Sequence, residues 1–146
     1  MKQKLLNHLL QLVDLQVATI QSQIDTAREA QAAETKSSAG DKYETTREMM
    51  TQELEQLTRQ LNVALQNKAI LQQMPLQPHD AVQQGSLVNT NRGVFYICAP
   101  LGKITYEEKV YQVISATSPL GKILMGKAAG EQVVVNGVGY GILSVE

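Results

Sequence analysis

Cysteine and histidine are scarce in this chain of 146 residues, which has one cysteine, Cys98, and two histidines. A single cysteine excludes an internal disulfide, and so few histidines exclude the usual cysteine–histidine zinc site. The charged residues, 13 basic and 14 acidic, give a net charge of -1 and exclude a protein that grips nucleic acid through a basic surface. No apolar run approaches the roughly 20 residues of a membrane span, and the sequence shows no signal peptide. We therefore expect a cytoplasmic protein with no membrane partner and no direct DNA binding.

Proline and glycine are nearly missing from the first half of the chain. Residues 1–74 contain only Gly40, whereas residues 75–146 contain the other nine glycines and all four prolines. Helix formers fill the first half, and β-branched residues and tyrosines are enriched in the second. The composition predicts an α+β protein with a helical domain at 1–74, a linker at 75–79 and a second domain at 80–146.

The first half carries two stripes with the 3.5-residue period of a coiled coil. Between them, residues 36–41 are rich in small and turn-forming types, so the two helices are expected to fold back as an antiparallel hairpin with its tip near 36–44. Facing residues would then have numbers that add up to 77, as Ile20 and Leu57 do. The stripes are Leu6, Leu9, Val13, Gln16, Ile20, Gln23, Ala27 and Ala30, and then Met50, Leu54, Leu57, Leu61, Ala64, Lys68 and Leu71.

The second half is typical of short strands. The pattern predicts strands at 87–89, 93–98, 110–114, 132–135 and 140–145. It also predicts one helix, with Ser118 as its N-cap, Pro119 as its first residue and Gly126 at its end.

The predicted tip contains a small acidic cluster. Asp41 and Glu44 are three residues apart at the start of a predicted helix, which places both carboxylates on one side. Such a pair suits a hard cation such as Mg²⁺. The same spacing also fits a capping box, in which the two side chains bind backbone N–H groups, and from spacing alone this alternative is favoured.

Three isolated side chains offer weaker candidates. Cys98 falls within a predicted strand and is expected to be a buried, inert thiol. His8 and His79 have no partners in the sequence pattern and are expected at the surface or in the linker. No residues form a recognisable self-sufficient enzyme site.

Two C-terminal motifs resemble those of the Gre-type transcript cleavage factors. Residues 114–122 read I-S-A-T-S-P-L-G-K and residues 124–133 read L-M-G-K-A-A-G-E-Q-V, similar to the family's I-S-x-x-S-P-L-(G/A) and L-x-G-K-x-x-G-(D/E)-x-V. Residues 140–146, Y-G-I-L-S-V-E, are similar to the family's closing Y-x-I-L-x-I-E. The resemblance covers nearly the whole chain and implies an FKBP-like fold for the C-terminal domain.

The tip also resembles that of the family. Residues 40–48 read G-D-K-Y-E-T-T-R-E against the family's G-D-L-S-E-N-A-E-Y, so Asp41 and Glu44 fall on the two metal-holding positions. The resemblance implies a transcription elongation factor that enters the secondary channel of bacterial RNA polymerase. There the two carboxylates would share Mg²⁺ with the polymerase, which hydrolyses its own backtracked transcript. On this interpretation Asp41 and Glu44 are both the metal-binding and the catalytic residues, and the factor is not an enzyme on its own.

The resemblance also assigns roles outside the carboxylates. Thr117, Ser118 and Pro119 match the family's D-S-P docking segment, with Thr117 in place of the acid. Lys36, Lys42 and Arg47 are candidates to guide the nascent RNA.

Two alternatives to a cleavage factor stay open. Because Lys42, Tyr43 and Thr45 depart from the family tip, the chain is also consistent with a regulator that occludes the channel without stimulating cleavage. A coiled-coil interaction protein unrelated to transcription is the second alternative.

Overall fold

The chain forms two compact units. The structure, a computed structural model, describes the backbone of residues 1–34 and 40–146 and the side chains of residues 1–33 and 44–146. One unit combines Met1–Leu10 with Ala69–Glu146, and the other is Gln11–Lys68. The domain boundary at residues 75–79 stays a prediction. Within the described ranges, no helix has the length and apolar character needed to cross a membrane.

Two long helices make up the first half of the chain. Helix α1 is Lys2–Glu34 and helix α2 is Gly40–Gln72, each of 33 residues. They are antiparallel, because Asp14 near the start of α1 pairs with Lys68 near the end of α2, while Gln31 near the end of α1 contacts Thr51. The predicted helical hairpin is therefore confirmed.

The seam between the helices follows the predicted stripe on α2 and departs from it on α1. Every predicted α2 position from Met50 to Leu71 is buried or half-buried. On α1, however, Gln16, Gln23 and Ala30 are exposed. Their places in the seam are taken by the next residue in each case, namely Val17, Ile24 and Gln31. The helix turns its bulky β-branched side chains inward and leaves two glutamines in solvent, because burying an amide without a partner costs free energy.

The pairing of side chains across the hairpin also differs from the prediction. The numbers of Asp14 and Lys68 add up to 82, as do those of Gln31 and Thr51, rather than to 77. Side chains of an α-helix lean toward its N-terminus. In an antiparallel pair the side chains of the two helices therefore tilt in opposite directions. Two side chains that touch then belong to residues with higher numbers than the pair whose α-carbons lie opposite each other. The sum of the two residue numbers is larger for this reason.

The second half of the chain contributes a mixed sheet and a short helix. The described residues form six strands in the order β3-β4-β2-β1-β6-β5, in which β2 and β4 are parallel and the other neighbours antiparallel. The strands are β1 Leu87–Thr90, β2 Gly93–Cys98, β3 Gly102–Tyr106, β4 Lys109–Ser115, β5 Gln132–Val135 and β6 Val138–Val145, and helix α3 is Pro119–Leu124. The predicted α+β class is confirmed.

All five predicted strands are present, and β3 was missed. Strand β3 lies at an edge of the sheet, with Ile104 and Tyr106 half-buried and Lys103 exposed. It turns into β4 through Glu107 and Glu108, two residues that rarely form a tight turn. The usual turn signal that would have marked the hairpin is therefore missing.

Helix α3 packs on one face of the sheet. Leu124 belongs to a buried cluster with Phe95 and Ile97 of β2, Val133 of β5 and Ile142 of β6. Because side chains alternate along a strand, Tyr96 and Cys98 point to the opposite face, where they are also buried. Both faces of β2 therefore contribute to the core.

Candidate functional site

The acidic candidates lie in the first turns of α2. Helix α2 is described from Gly40, so Asp41 lies in its first turn, and the capping-box alternative for Asp41 and Glu44 stays open. Glu44 is exposed and follows Asp41 by three residues, which places the two positions on the same side of the helix. The Asp41 side chain is outside the described residues. Glu44 is therefore the described member of the predicted pair, and it is accessible to a partner.

Glu44 opens a shallow groove that runs along α2. Acidic, basic and neutral polar side chains line this groove, namely Glu44, Arg47, Glu48, Thr51, Gln52 and Glu55. Glutamates outnumber the single arginine, so the surface around Glu44 favours a cation. This arrangement suits an ion or a positively charged partner group better than a phosphate.

Of the three basic candidates, only Arg47 has a described side chain. Arg47 is exposed and lies one turn after Glu44 on α2. Its backbone carbonyl accepts a hydrogen bond from Thr51 Oγ1 at 2.9 Å. Lys36 and the side chain of Lys42 are outside the described residues. The guiding role of all three stays a prediction.

Carboxylates at this end of α2 are of the chemical type that binds magnesium, and the magnesium role of Asp41 and Glu44 stays a prediction. Carboxylate oxygens are the ligands that Mg²⁺ prefers, and this ion needs six of them or water. Among the described residues no three histidine, cysteine, aspartate or glutamate side chains converge into a metal-binding group. Two carboxylates three residues apart on one helix supply part of such a shell, so a partner and water would have to complete it.

The second candidate segment caps helix α3. Ser118 Oγ accepts a hydrogen bond from the Gly121 N–H at 3.0 Å and donates one to the Ser115 carbonyl at 2.7 Å. Pro119 occupies the first turn, so the predicted N-cap and first residue are confirmed. Thr117 and Pro119 are exposed, whereas Ser118 is half-buried. Ser118 therefore holds the corner in shape, and its two neighbours are the accessible ones.

Thr117 is held in place as well as exposed. Its Oγ1 lies 2.8 Å from Ser115 Oγ, and its backbone N–H donates to the same Ser115 oxygen at 3.1 Å. A hydroxyl with a fixed position loses less entropy when a partner binds it than a free side chain does. The polymerase-docking role of the segment stays a prediction.

The three isolated candidates have different outcomes: Cys98 and His79 are buried, and His8 is half-buried. Cys98 is buried, and burial raises the pKa of its thiol to about 12, so it is inert as predicted. His79 is the last residue of the predicted linker and is not a surface residue, since its exposure is 7% and its Nδ1 lies 2.7 Å from Ser86 Oγ. The sequence spacing did not predict this contact. It depends on the burial of Ser86, which directly precedes β1 in the assembled sheet.

Sequence reasoning also missed a polar contact between the two long helices. Gln31 Nε2 donates to Thr51 Oγ1 at 3.4 Å. The predicted seam placed Ala30 rather than Gln31 between the helices, so the amide was not a candidate. A shift of the α1 stripe by one residue would have revealed it.

Comparison with known proteins gives matches among solved structures alone. No protein-family model matches the chain, and no curated protein matches it. Three of the similar structures are of Gfh1. The transcription factor Gfh1 has 15% identity over 93% of this chain and 92% of its own, with a TM-score of 0.38. GreA factor homolog 1 (Gfh1) of Thermus thermophilus has 15% identity over 94% of each chain and a TM-score of 0.37. Gfh1 of Thermus aquaticus has 15% identity over 88% and 92%, with a TM-score of 0.35.

Proposed function

We propose that the protein is a transcription elongation factor that binds bacterial RNA polymerase through its secondary channel and promotes cleavage of backtracked transcripts. The observation that carries this proposal is the position of Asp41 and Glu44 in the first turns of a long, paired helix. Support also comes from the motifs at residues 114–122 and 124–133, which resemble those of Gre-type factors.

The dimensions of the helical pair suit a channel. Helix α2 has 33 residues and a length of roughly 50 Å, and two helices side by side are about 20 Å across. From Lys68 back to Glu44 the helix covers roughly 36 Å. This length lets Glu44 act at a site that a compact domain of this size is too broad to enter.

The proposed chemistry belongs to the polymerase. Asp41 and Glu44 would hold a Mg²⁺ ion together with polymerase carboxylates, and that ion would activate water and stabilise charge during phosphodiester hydrolysis. We assign to Arg47, the one basic side chain among the described residues of this acidic groove, and to Lys36 and Lys42 the role of guiding the nascent RNA toward the tip. The factor would supply ligands and orientation, and the polymerase would supply the reaction.

A cleavage assay on stalled elongation complexes tests this proposal. Wild-type protein is expected to shorten backtracked RNA, and the Asp41→Asn/Glu44→Gln double variant is expected to bind polymerase without shortening it. Glu53→Gln is the matched control, since Glu53 is an exposed glutamate of α2 outside the groove. If the double variant restores stalled complexes as well as wild type does, the two carboxylates have no such role.

The same assay separates the cleavage factor from the two alternatives. Lys42, Tyr43 and Thr45 differ from the family tip, which favours the channel-occluding regulator as the second candidate. That regulator binds polymerase and slows elongation while leaving the RNA intact. A protein unrelated to transcription shows no association with polymerase even at low salt.

A further inference from the structure

In the described residues, side chains of the two long helices meet in the Asp14–Lys68 ion pair and, toward the Glu44 end of α2, in the Gln31–Thr51 hydrogen bond. Thr51 Oγ1 accepts from Gln31 Nε2 at 3.4 Å and donates its own proton to the Arg47 carbonyl at 2.9 Å. The Thr51 hydroxyl is therefore held by a hydrogen bond within α2 as well as by the Gln31 amide. Gln31 is half-buried, which places it in the seam rather than on the outer surface of α1.

Apolar packing is weak in the part of the hairpin where this contact lies. Further along, Ile20, Ile24 and Leu57 are buried in one cluster. Near the contact, the seam positions of α2 are Thr46, Met50 and Leu54, all half-buried, and the described side chains of α1 there are Ala27 and Gln31. Small and polar side chains specify the alignment of two helices poorly through burial alone. The Gln31–Thr51 bond is exposed to solvent, and here it adds a polar contact to the alignment that the apolar cluster and the Asp14–Lys68 pair also support.

Thr51 is also on the Glu44 side of α2. The two residues are seven apart, which is two helical turns, and both line the same groove. Whatever fixes the rotation of α2 at Thr51 therefore fixes the direction of the Glu44 carboxylate. A slip of one residue would move α2 by about 1.5 Å along its axis and rotate it by about 100°.

We propose that Gln31 and Thr51 are positioning residues, which support the alignment of α2 on α1 near Glu44 and thereby help to place the Glu44 carboxylate. The role in cleavage rests on the function proposed above. Misplacement of a reacting group by about 1 Å can cost two orders of magnitude in rate, so a loosened alignment is expected to lower cleavage about tenfold or more.

The chain offers a closely matched control for this proposal. Thr58 lies one heptad after Thr51, and its Oγ1 donates to the Leu54 carbonyl at 2.8 Å in the same way. Within the described part of the chain, the Thr58 hydroxyl makes no hydrogen bond with a glutamine of α1. Thr51→Val and Thr58→Val therefore remove the same hydroxyl and the same helix contact, and they differ in the bond to Gln31 and in the place of Thr51 in the groove beside Glu44.

The first experiment compares cleavage by wild type, Thr51→Val, Thr51→Ser and Thr58→Val. Thr51→Val is expected to lower the maximal cleavage rate about tenfold with half-saturation unchanged, because polymerase binding does not depend on the contact. Thr51→Ser keeps the hydroxyl and restores the rate, and Thr58→Val matches wild type. Equal losses in Thr51→Val and Thr58→Val, or none in either, overturn the proposal.

The second experiment measures the alignment without polymerase. Spin labels at Glu29→Cys on α1 and Glu53→Cys on α2 report the distance between the helices, and buried Cys98 resists labelling because of its raised pKa. Thr51→Val is expected to broaden the distance distribution, while Thr58→Val leaves it narrow. If the wild-type protein does not cleave RNA, the proposed function fails. The distance distribution then tests by itself whether Gln31 and Thr51 support the alignment of the two helices. A distribution that Thr51→Val leaves unchanged contradicts it.

Discussion

Gly121 packs so closely against Ser115 that a β-carbon on residue 121 would overlap the Ser115 carbonyl oxygen. The same β-carbon would lie 2.8 Å from Ser118 Oγ, the cap of α3. Backbone atoms cannot move aside as the end of a flexible side chain can. The corner that carries Thr117, Ser118 and Pro119 therefore depends on the absence of a side chain at position 121.

Substitution of Gly121 by alanine is expected to destabilise the protein by about 1–3 kcal/mol, the usual cost of overpacking. Gly139→Ala is the control, because a β-carbon there meets nothing within 4 Å. Urea unfolding of both variants measures the effect. Equal midpoints for the two variants would show that the corner tolerates a methyl group.

Removal of the Tyr96 hydroxyl is expected to leave stability unchanged or to raise it by up to about 1–2 kcal/mol. Tyr96 Oη is buried and has no hydrogen-bond partner in the described structure, and an unpaired buried hydroxyl costs free energy. Tyr96→Phe keeps the ring and removes this cost. Thermal unfolding checks it against Tyr96→Leu, which loses the ring and should be less stable. A marked loss in Tyr96→Phe would reveal a partner for the hydroxyl.

The stability of the protein is expected to fall as pH falls below about 6.5, in part because of His79. Burial, with a smaller effect from Lys2, lowers the pKa of His79 from its ordinary 6.5. Above that pH the ring is neutral in both states. Below it the unfolded chain takes up the proton before the folded one does, so the contribution of His79 to folding is lost with falling pH.

Unfolding free energies between about pH 7 and pH 5 test this prediction. His79→Gln is expected to flatten the dependence on pH over this range, whereas His8→Gln retains it. An identical slope in wild type and His79→Gln would remove His79 as its source.

Replacing the two residues of the turn between β3 and β4 with those of the turn between β5 and β6 is expected to stabilise the protein. Glu107 and Glu108 have φ of 50° and 65°, and the corresponding residues Asn136 and Gly137 have φ of 50° and 77°. Left-handed backbone costs most residues about 1–2 kcal/mol, whereas asparagine and glycine adopt it readily. Glu107→Asn/Glu108→Gly should therefore raise the free energy of unfolding by about 1–2 kcal/mol.

The reverse exchange controls this experiment. Asn136→Glu/Gly137→Glu is expected to lower stability by a similar amount, as measured by urea unfolding. The stability gained in Glu107→Asn/Glu108→Gly should exceed the stability lost with the hydrogen bond between the Glu107 and Tyr106 side chains, because that bond is exposed to solvent. If both exchanges lower stability, the glutamates make contacts that outweigh the strain.

The fold could be predicted where local pattern and tertiary packing agree. The heptad spacing predicted α2 down to the individual seam residues, and Ser118 with Pro119 predicted the start of α3. Strand β3 could not be predicted in the same way, because its turn uses two glutamates under strain. The exact seam of α1 was also out of reach, since the choice between Gln16 and Val17 depends on how the helices rotate against each other.

For the candidate site, the sequence predicted which side chains could bind a cation but not the contacts between the helices around them. The spacing of Asp41 and Glu44 follows from the sequence, and so does their suitability for a hard cation. The Gln31–Thr51 contact does not, because it joins residues 20 apart and requires the observed pairing of the helices. The buried His79–Ser86 pair has the same origin, as it forms only once the sheet is assembled.

The central claim is that Asp41 and Glu44 lend magnesium ligands to RNA polymerase, and the dependence of transcript cleavage on Mg²⁺ concentration tests it most directly. Stalled complexes with backtracked RNA are assayed with wild type, Asp41→Asn/Glu44→Gln and Glu53→Gln, each at saturating factor. Wild type and Glu53→Gln are predicted to reach full cleavage at a lower Mg²⁺ concentration than polymerase alone, while the double variant follows polymerase alone. Overlapping Mg²⁺ curves for wild type and the double variant would contradict the claim.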